Sequence, residues 1–475
     1  MAPTRVGRVV AAIAAVLALL AIAAFGGSRL FDGGPRYPAR WDPRVAELAK
    51  FVEHTRGHPF KHPVHVYFMT DAEYSRVAGS GNGSPPTAAD RRHSRRQAAE
   101  YRALGLLNGD PNLLASSEKL HDSGTLAFYS PQYDVVNVRG SSLTVGVRVT
   151  LAHELTHALQ DQYFDLSPLD AARNADAAGA ARSIVEGDAV ATENAYIATL
   201  SDSERAAYDK ESNDEQSGAD ESLGDVPKVL QTMLGSYYAL GNAFVEFWEA
   251  EPNGPPKLTN IDEVLRRLPT ASAQVIDPTR YLAGDTPQHV SPPRLSGRRD
   301  VFETATLGAD LTFLMLAERI DPVVALTAVD GLRGDAYSAT TVRSSDQLCV
   351  DAKMAMASKA DAREMGDALE AWTRAMPKEA SAGYKVGSDW VSFHSCDPGT
   401  SVDTGSGGAS ADALYFPVAR LQAAAQAVSK GRSRTSALCY GNAVVERLTL
   451  ADLKAKERTP GITAAIAAAE AACPR

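Results

Sequence analysis

A chain of 475 residues, 44% of them hydrophobic, can bury one large core or two moderate ones, and two domains are the expectation. Its 48 basic residues against 58 acidic ones leave a formal charge of -10. That balance, with no basic stripe and no interleaved aromatics, excludes a phosphate-tracking nucleic-acid binder.

In chain order, the first feature is the charge-free run VVAAIAAVLALLAIAAF at residues 9–25, preceded by Arg5 and Arg8. It reads as a signal peptide or a single membrane anchor: Ala21, Ile22 and Ala23 suit cleavage, yet the run is about long enough to span a bilayer. Retention as an anchor, with the rest of the chain outside the cytoplasmic membrane, is the favoured expectation; cleavage would make the protein secreted. Arg29, Arg36 and Arg40 follow the run and dilute the charge asymmetry that would fix its orientation. Residues 27–40, rich in Gly, Pro and Arg, read as a tether.

The folded part starts near Trp41. Asp42 can cap a helix running to Val52, and residues 62–70 alternate as a strand. GSGNGSPPTAADRRHSRR, residues 79–96, reads as a surface loop whose basic end is a solvated helix start. Residues 125–139 hold two β-branched and aromatic runs around Ser130-Pro131-Gln132, a hairpin pattern. Helices are expected at 142–164, 170–200 and 235–248. Between the last two, the acidic segment 209–225 reads as a mobile loop without EF-hand spacing. Pro-rich turns close the first domain, 41–295.

The second domain, 296–475, opens with an expected helix at 301–318. Short strands at 349–356 and 390–396 flank a helix at 360–376, a Gly- and Ser-rich linker spans 399–412, and helices start at Ala413 and Leu450. All four cysteines lie here. An even count in an exported chain suggests disulfides, and local closure favours Cys349 with Cys396 and Cys439 with Cys473.

The strongest chemical signal is His153-Glu154-Leu155-Thr156-His157, an H-E-x-x-H run inside a helical stretch. Four residues advance a helix by about 400°, so the two imidazoles stand on one face, one turn apart, as a shared divalent ion requires. Val147, Leu151, Leu155, Ala158 and Leu159 form an apolar stripe on the opposite side, while Gly146 and Thr150 leave room beside the histidines. Glu154 lies about 100° round from His153, where a carboxylate can take a proton from a metal-activated water. Two imidazoles and a carboxylate suit Zn2+. A third ligand is available on the next helix from Glu186, Asp188 or Glu193. Glu186 is the expected ligand; Glu193, seven residues on and on the same face, or Asp188 would accept from a ligand histidine N–H. No histidine follows at the metzincin spacing, since residues 160–164 provide none.

VTLAHELTHALQDQYFDL at 149–166, IVEGDA at 184–189 and SYYALGNAFV at 236–245 together resemble the gluzincins, the thermolysin-like branch of the zincin peptidases. They are more closely similar to a group of bacterial exported neutral zinc metallopeptidases. A looser match runs through 267–287, and the resemblance spans roughly 125–293. It implies that His153, His157 and Glu186 hold zinc, that Glu154 is the catalytic base, and that the strand near Phe128 and Tyr129 pairs with an extended peptide substrate. The group often carries a histidine where this chain has Asp277, so the oxyanion donor must come from elsewhere. Tyr237, Tyr238 and His289 are candidates, and Tyr238 is the choice.

The expectation is thus an α+β chain: a zincin-like metallopeptidase domain with its hairpin packed on the active-site helix, then a smaller disulfide-bearing α+β domain. Its partner would be a protein or peptide substrate, with membrane contact only through the N-terminal segment. Two rivals share the ligands: a non-catalytic envelope protein using zinc as a structural clamp, and a zinc amidohydrolase acting on cell-wall amides.

Overall fold

The computed structural model describes residues 37–78, 86–122, 126–164, 166, 169, 174–295, 299–343 and 345–473. The apolar run at 9–25, most of the expected tether and the start of the loop at 79–96 lie outside them. No helix among the described residues is long and apolar enough to cross a membrane. Among the described residues the chain is α+β with two sheets.

The first layer begins with α1 (Ala46–Arg56), β1 (His65–Met69), α2 (Asp71–Ala78), α3 (Ala88–Ala103) and α4 (Leu113–Asp122). The hairpin of β2 (Ala127–Ser130) and β3 (Val135–Arg139) completes a three-stranded sheet in the order β1-β3-β2. β1 runs parallel to β3, with Tyr67 opposite Asn137, and β2 runs antiparallel to it, with Tyr129 opposite Val136. β2 is therefore an outer strand. The helix α5 (Val145–Phe164) lies on this sheet through the expected apolar stripe. Val147, Leu151, Leu155, Ala158 and Leu159 share one core with Tyr129, Val136 and Val138, and with Leu48 and Val52 of α1. Burying one such leucine contributes roughly 1.5–3 kcal/mol. The packing leaves the opposite, histidine-bearing face turned toward the next helices.

Those are α6 (Ala175–Thr199), α7 (Asp202–Ser222) and α8 (Lys228–Glu249). α6 starts on Asn174, whose side chain accepts from Ala177 N–H. It crosses α8 at backbone contact because both helices present glycine there. A Cβ on Gly241 would lie 1.8 Å from the Ser183 carbonyl oxygen, and one on Gly187 would lie 2.4 Å from the Gly241 carbonyl. Gly241→Ala must therefore push the two helices apart; a loss of about 3 kcal/mol is expected, at the upper end for overpacking, read by urea unfolding.

The acidic segment expected to be a mobile loop is the second half of α7 and the turn after it. A capping box between Ser201 and Glu204 starts this helix, and a Lys210–Asp214 pair supports its outer face. Its charges are also less solvated than composition suggests: Glu211 accepts from the Gly146 N–H at 2.7 Å, and burial together with Glu211 raises the Glu215 carboxyl to about 7.

Three short helices, α9 (Asp262–Arg266), α10 (Ser272–Ile276) and α11 (Pro278–Leu282), lead to β4 (Arg299–Ala305). The helix expected at 301–318 is this strand followed by α12 (Gly308–Ala317). Val301, Phe302 and Thr304 favour extended backbone, β5 supplies the pairing, and Gly308 at φ 71° breaks the chain between strand and helix. After α13 (Pro322–Asp330) come β5 (Leu332–Val342), β6 (Gln347–Met356), α14 (Lys359–Ala375), β7 (Gly383–Val386) and β8 (Trp390–Cys396), the strands forming a second sheet in the order β4-β5-β6-β8-β7.

The expected linker at 399–412 is pinned instead of free. Thr404 is fully buried, its N–H donates to Asn108 at 2.6 Å, and the Glu318 carboxylate accepts from the N–H groups of Gly407 and Ser410 at 2.9 and 2.8 Å. It ends in α15 (Gly408–Ala413), and the expected closing pair of helices is four: α16 (Tyr415–Ser429), α17 (Arg434–Val445), α18 (Leu450–Lys454) and α19 (Pro460–Ala472). The two disulfides join Cys349 to Cys396 and Cys439 to Cys473, the pairing expected from local closure. The largest apolar core draws on Phe244 and Phe247 from before residue 295 and on Phe313, Trp372 and Leu421 from after it.

Candidate metal centre

α5 and α6 bring His153, His157 and Glu186 together. The Nε2 atoms of the two imidazoles lie 3.0 Å apart, and Glu186 Oε2 is 3.4 Å from His153 Nε2 and 3.3 Å from His157 Nε2. All three side chains are buried. No hydrogen bond reaches Glu186 Oε2.

The outer nitrogens fix what the inner ones can do. His153 Nδ1–H donates to Glu193 Oε2 at 3.2 Å. His157 Nδ1–H donates to Gln160 Oε1 at 2.9 Å, and Gln160 uses its amide N–H groups on Asp188 Oδ2 at 2.7 Å and the Val185 carbonyl at 3.0 Å. With both Nδ1 atoms protonated, both Nε2 lone pairs point at the Glu186 oxygen. Three acceptors facing one another within 3.4 Å repel unless a positive charge sits among them. Burial opposes a proton on His153, but Glu186 and Glu193 outweigh it and raise the imidazole to about 10. The Glu186 carboxyl is correspondingly held down at about 2, the imidazoles overcoming its burial. A tetrahedral ion with bonds of about 2.0–2.1 Å has ligand-to-ligand edges of about 3.3 Å, so the triangle of 3.0, 3.3 and 3.4 Å fits a small divalent cation without rearrangement.

Glu154 sits on the same helix beside this triangle, 3% exposed. The Tyr129 backbone N–H on β2 donates to its Oε2 at 2.7 Å, tying the outer strand to the motif. Burial raises this carboxyl against the opposing pull of the two imidazoles and of that N–H, so it has more appetite for a proton than a surface glutamate. Tyr238 of α8 also reaches the site. Burial, and the nearby Glu186 and Glu154, push its phenol well above the ordinary range, so it remains a neutral donor.

The other two donor candidates lie elsewhere. Tyr237 faces away on α8, its ring against Gly179 and its hydroxyl near Asp310. His289 is exposed, on a cavity of about 930 Å³ lined by Asp176, Arg280, Asp285 and Asp335 and by none of the residues of the triangle. Asp277 caps α11 by accepting from Thr279 N–H.

A supporting layer surrounds the triangle, and no sequence spacing signals it. Asp188 is held by Arg56 of α1, Nε to Oδ1 at 3.0 Å, and the same guanidinium bonds Asp262 at 2.8 Å and the Leu258 carbonyl at 2.6 Å. The His157 ring is thus anchored through Gln160 and Asp188 to a buried arginine. Gln160→Ala removes the acceptor that orients His157, and a loss of roughly ten- to a hundredfold in metal affinity is expected, measured by competition with a chelator.

Compared with models of known protein families, with curated proteins and with solved structures, the chain matches none.

Proposed function

We propose that this chain is an exported zinc metallopeptidase, with a zincin-like arrangement of α5, α6 and the hairpin, in which His153, His157 and Glu186 hold the metal and Glu154 is the base. The observation that carries the reading is the convergence of two Nε2 atoms and one carboxylate oxygen on a point beside a second, proton-hungry carboxyl. Bound there, zinc would polarise a scissile carbonyl and acidify a water. Glu154, with one oxygen held by Tyr129 N–H, takes the proton from that water and hands it to the departing amine. Tyr238 stays protonated and supplies a donor to the carbonyl oxygen as charge develops there. An extended peptide added to the outer edge of β2 would lie alongside Glu154, backbone pairing giving affinity without sequence demands. Residues 9–25 would place this activity outside the cytoplasmic membrane, where the two disulfides are stable.

Burial favours one alternative. Each of the four motif and ligand residues is 3% exposed or less, as in a structural site, so the rival is a zinc clamp without catalysis. In the peptidase reading substrate enters when a covering element moves. α7 is held to α5 by polar contacts, Glu211 with Gly146 and Glu204 with Arg148, which water can replace. A peptide-library assay on the zinc-loaded full chain separates the two: cleavage products support the peptidase, and tightly held zinc with no product from any peptide supports the clamp.

A further inference from the structure

The second sheet carries a group of metal-ligating side chains that the peptidase reading does not use. Cys349 and Asp351 on β6 face Cys396 and His394 on β8 as two successive cross-strand pairs. Alternation along the strands puts these four on the face opposite the core-facing Val350, Ala352, Val391 and Phe393. Lys353, Ser392 and Trp390, partly exposed, share their face. His394 is oriented from behind: its Nδ1–H donates to Asp351 Oδ1 at 2.9 Å, and Arg299 holds the other Asp351 oxygen at 2.7 Å. Its Nε2 is thereby aimed at the cysteines, 3.3 Å from Cys396 Sγ. The donor atoms of Cys349, His394 and Cys396 all lie within 4.8 Å of one another. Bonds of about 2.3 Å to sulfur and 2.0–2.1 Å to nitrogen need a sulfur-to-nitrogen edge of roughly 3.6 Å, close to the 3.3 Å between Cys396 Sγ and His394 Nε2, and the two sulfurs separate once the bond between them is reduced. Gly383, paired with His394 on β7, leaves open space where a side chain would stand, so the imidazole is reachable from solvent.

We propose that Cys349, Cys396 and His394 form a thiol-gated binding site for a thiophilic divalent cation, closed while the disulfide stands and opened when a dithiol partner reduces it. The partner's thiolate attacks one sulfur and its second thiol resolves the mixed disulfide. Two electrons and two protons pass to Cys349 and Cys396, and the partner leaves as its own disulfide. The cation then displaces the two thiol protons and takes His394 Nε2 as third ligand, with water completing the set. The carboxylate behind the histidine is the arrangement that fixes ring orientation and raises ligand basicity at metal sites.

The test uses Co2+ on the full chain carrying Cys439→Ser and Cys473→Ser, because sulfur-to-cobalt charge transfer absorbs in the near ultraviolet and neither the sulfur-free centre at His153 nor the other cysteine pair can then produce it. A phosphine reduces the protein, taking oxygen from water and leaving as its oxide. The expected result is a charge-transfer band in the reduced protein, none in the oxidised protein, and none from this site in Cys349→Ser. Asp351→Asn should keep the band but weaken cobalt binding roughly ten- to a hundredfold. A reduced parent chain without the band, a band that survives in Cys349→Ser, or an affinity unchanged in both Asp351→Asn and His394→Ala would overturn the proposal. So would loss of the β-sheet circular dichroism signal on reduction, since the site needs β6 and β8 to stay paired.

Discussion

Glu154→Gln is expected to keep its zinc and lose peptide hydrolysis by a factor of about a hundred to ten thousand, the range for removing a general base. The substitution changes the proton chemistry and little else. Glutamine has the same shape, its amide oxygen can still accept from Tyr129 N–H as Glu154 Oε2 does at 2.7 Å, and none of the three metal-facing atoms belongs to residue 154. What disappears is the carboxylate whose burial gives it a raised proton affinity. Removing a charge buried to this depth also relieves desolvation, so the variant should be at least as stable as wild type. Steady-state hydrolysis of a peptide found in the library assay, with zinc content measured on the same sample, reads both halves. Parallel loss of zinc and activity would mean that Glu154 acts through the metal site's structure instead of as a base.

Arg56→Met is expected to cost about 3–5 kcal/mol of stability, the largest single-site loss foreseen here outside the metal ligands. The guanidinium is 1% exposed and holds Asp188 and Asp262 together with the Leu258 carbonyl. Glu249 stands close by, its carboxyl pushed well above the ordinary range by burial and by Asp188. Methionine fills much of the volume but leaves buried Asp188 without its cation, while Asp262 keeps only His58 and Arg266. Because Asp188 also receives the Gln160 amide that orients His157, the same variant should bind metal more weakly. Urea unfolding gives the stability loss, and chelator competition in the folded baseline gives the affinity. A loss below 1 kcal/mol would show that the two carboxylates accommodate by taking up protons.

The core of the candidate site was legible because its information is local. The four-residue offset of His153 and His157, the apolar stripe from Val147 to Leu159, and the shared face of Glu186 and Glu193 all follow from helical periodicity, and the structure brings these groups together. The supporting layer was not legible for the converse reason. Arg56, Gln160 and Asp262 come from separate elements, and no spacing tells which carboxylate of α6 an arginine of α1 will meet. Its place on α6 suggests Asp188 as a direct histidine acceptor, whereas it reaches His157 through Gln160.

The errors of secondary structure have physical causes too. Charge alone makes residues 209–225 look like a loop, but their helix is set by the Ser201 cap and by the contacts of Glu211 on α5. Val301 and Phe302 suit either a buried helix or a strand, and only the partner β5, more than 30 residues away along the chain, decides. Linker composition at 399–412 hid Thr404, whose burial depends on Asn108 in another part of the fold.

Three acceptors that converge as those of His153, His157 and Glu186 do should hold zinc. This is tested most directly by the metal content of the full chain after loading with zinc and exhaustive dialysis, wild type beside Glu186→Ala. Stoichiometric zinc is expected in the wild type and loss of that zinc in the variant, with both proteins folded by circular dichroism. A wild type that emerges metal-free, or a Glu186→Ala protein that retains as much zinc as wild type, would contradict it.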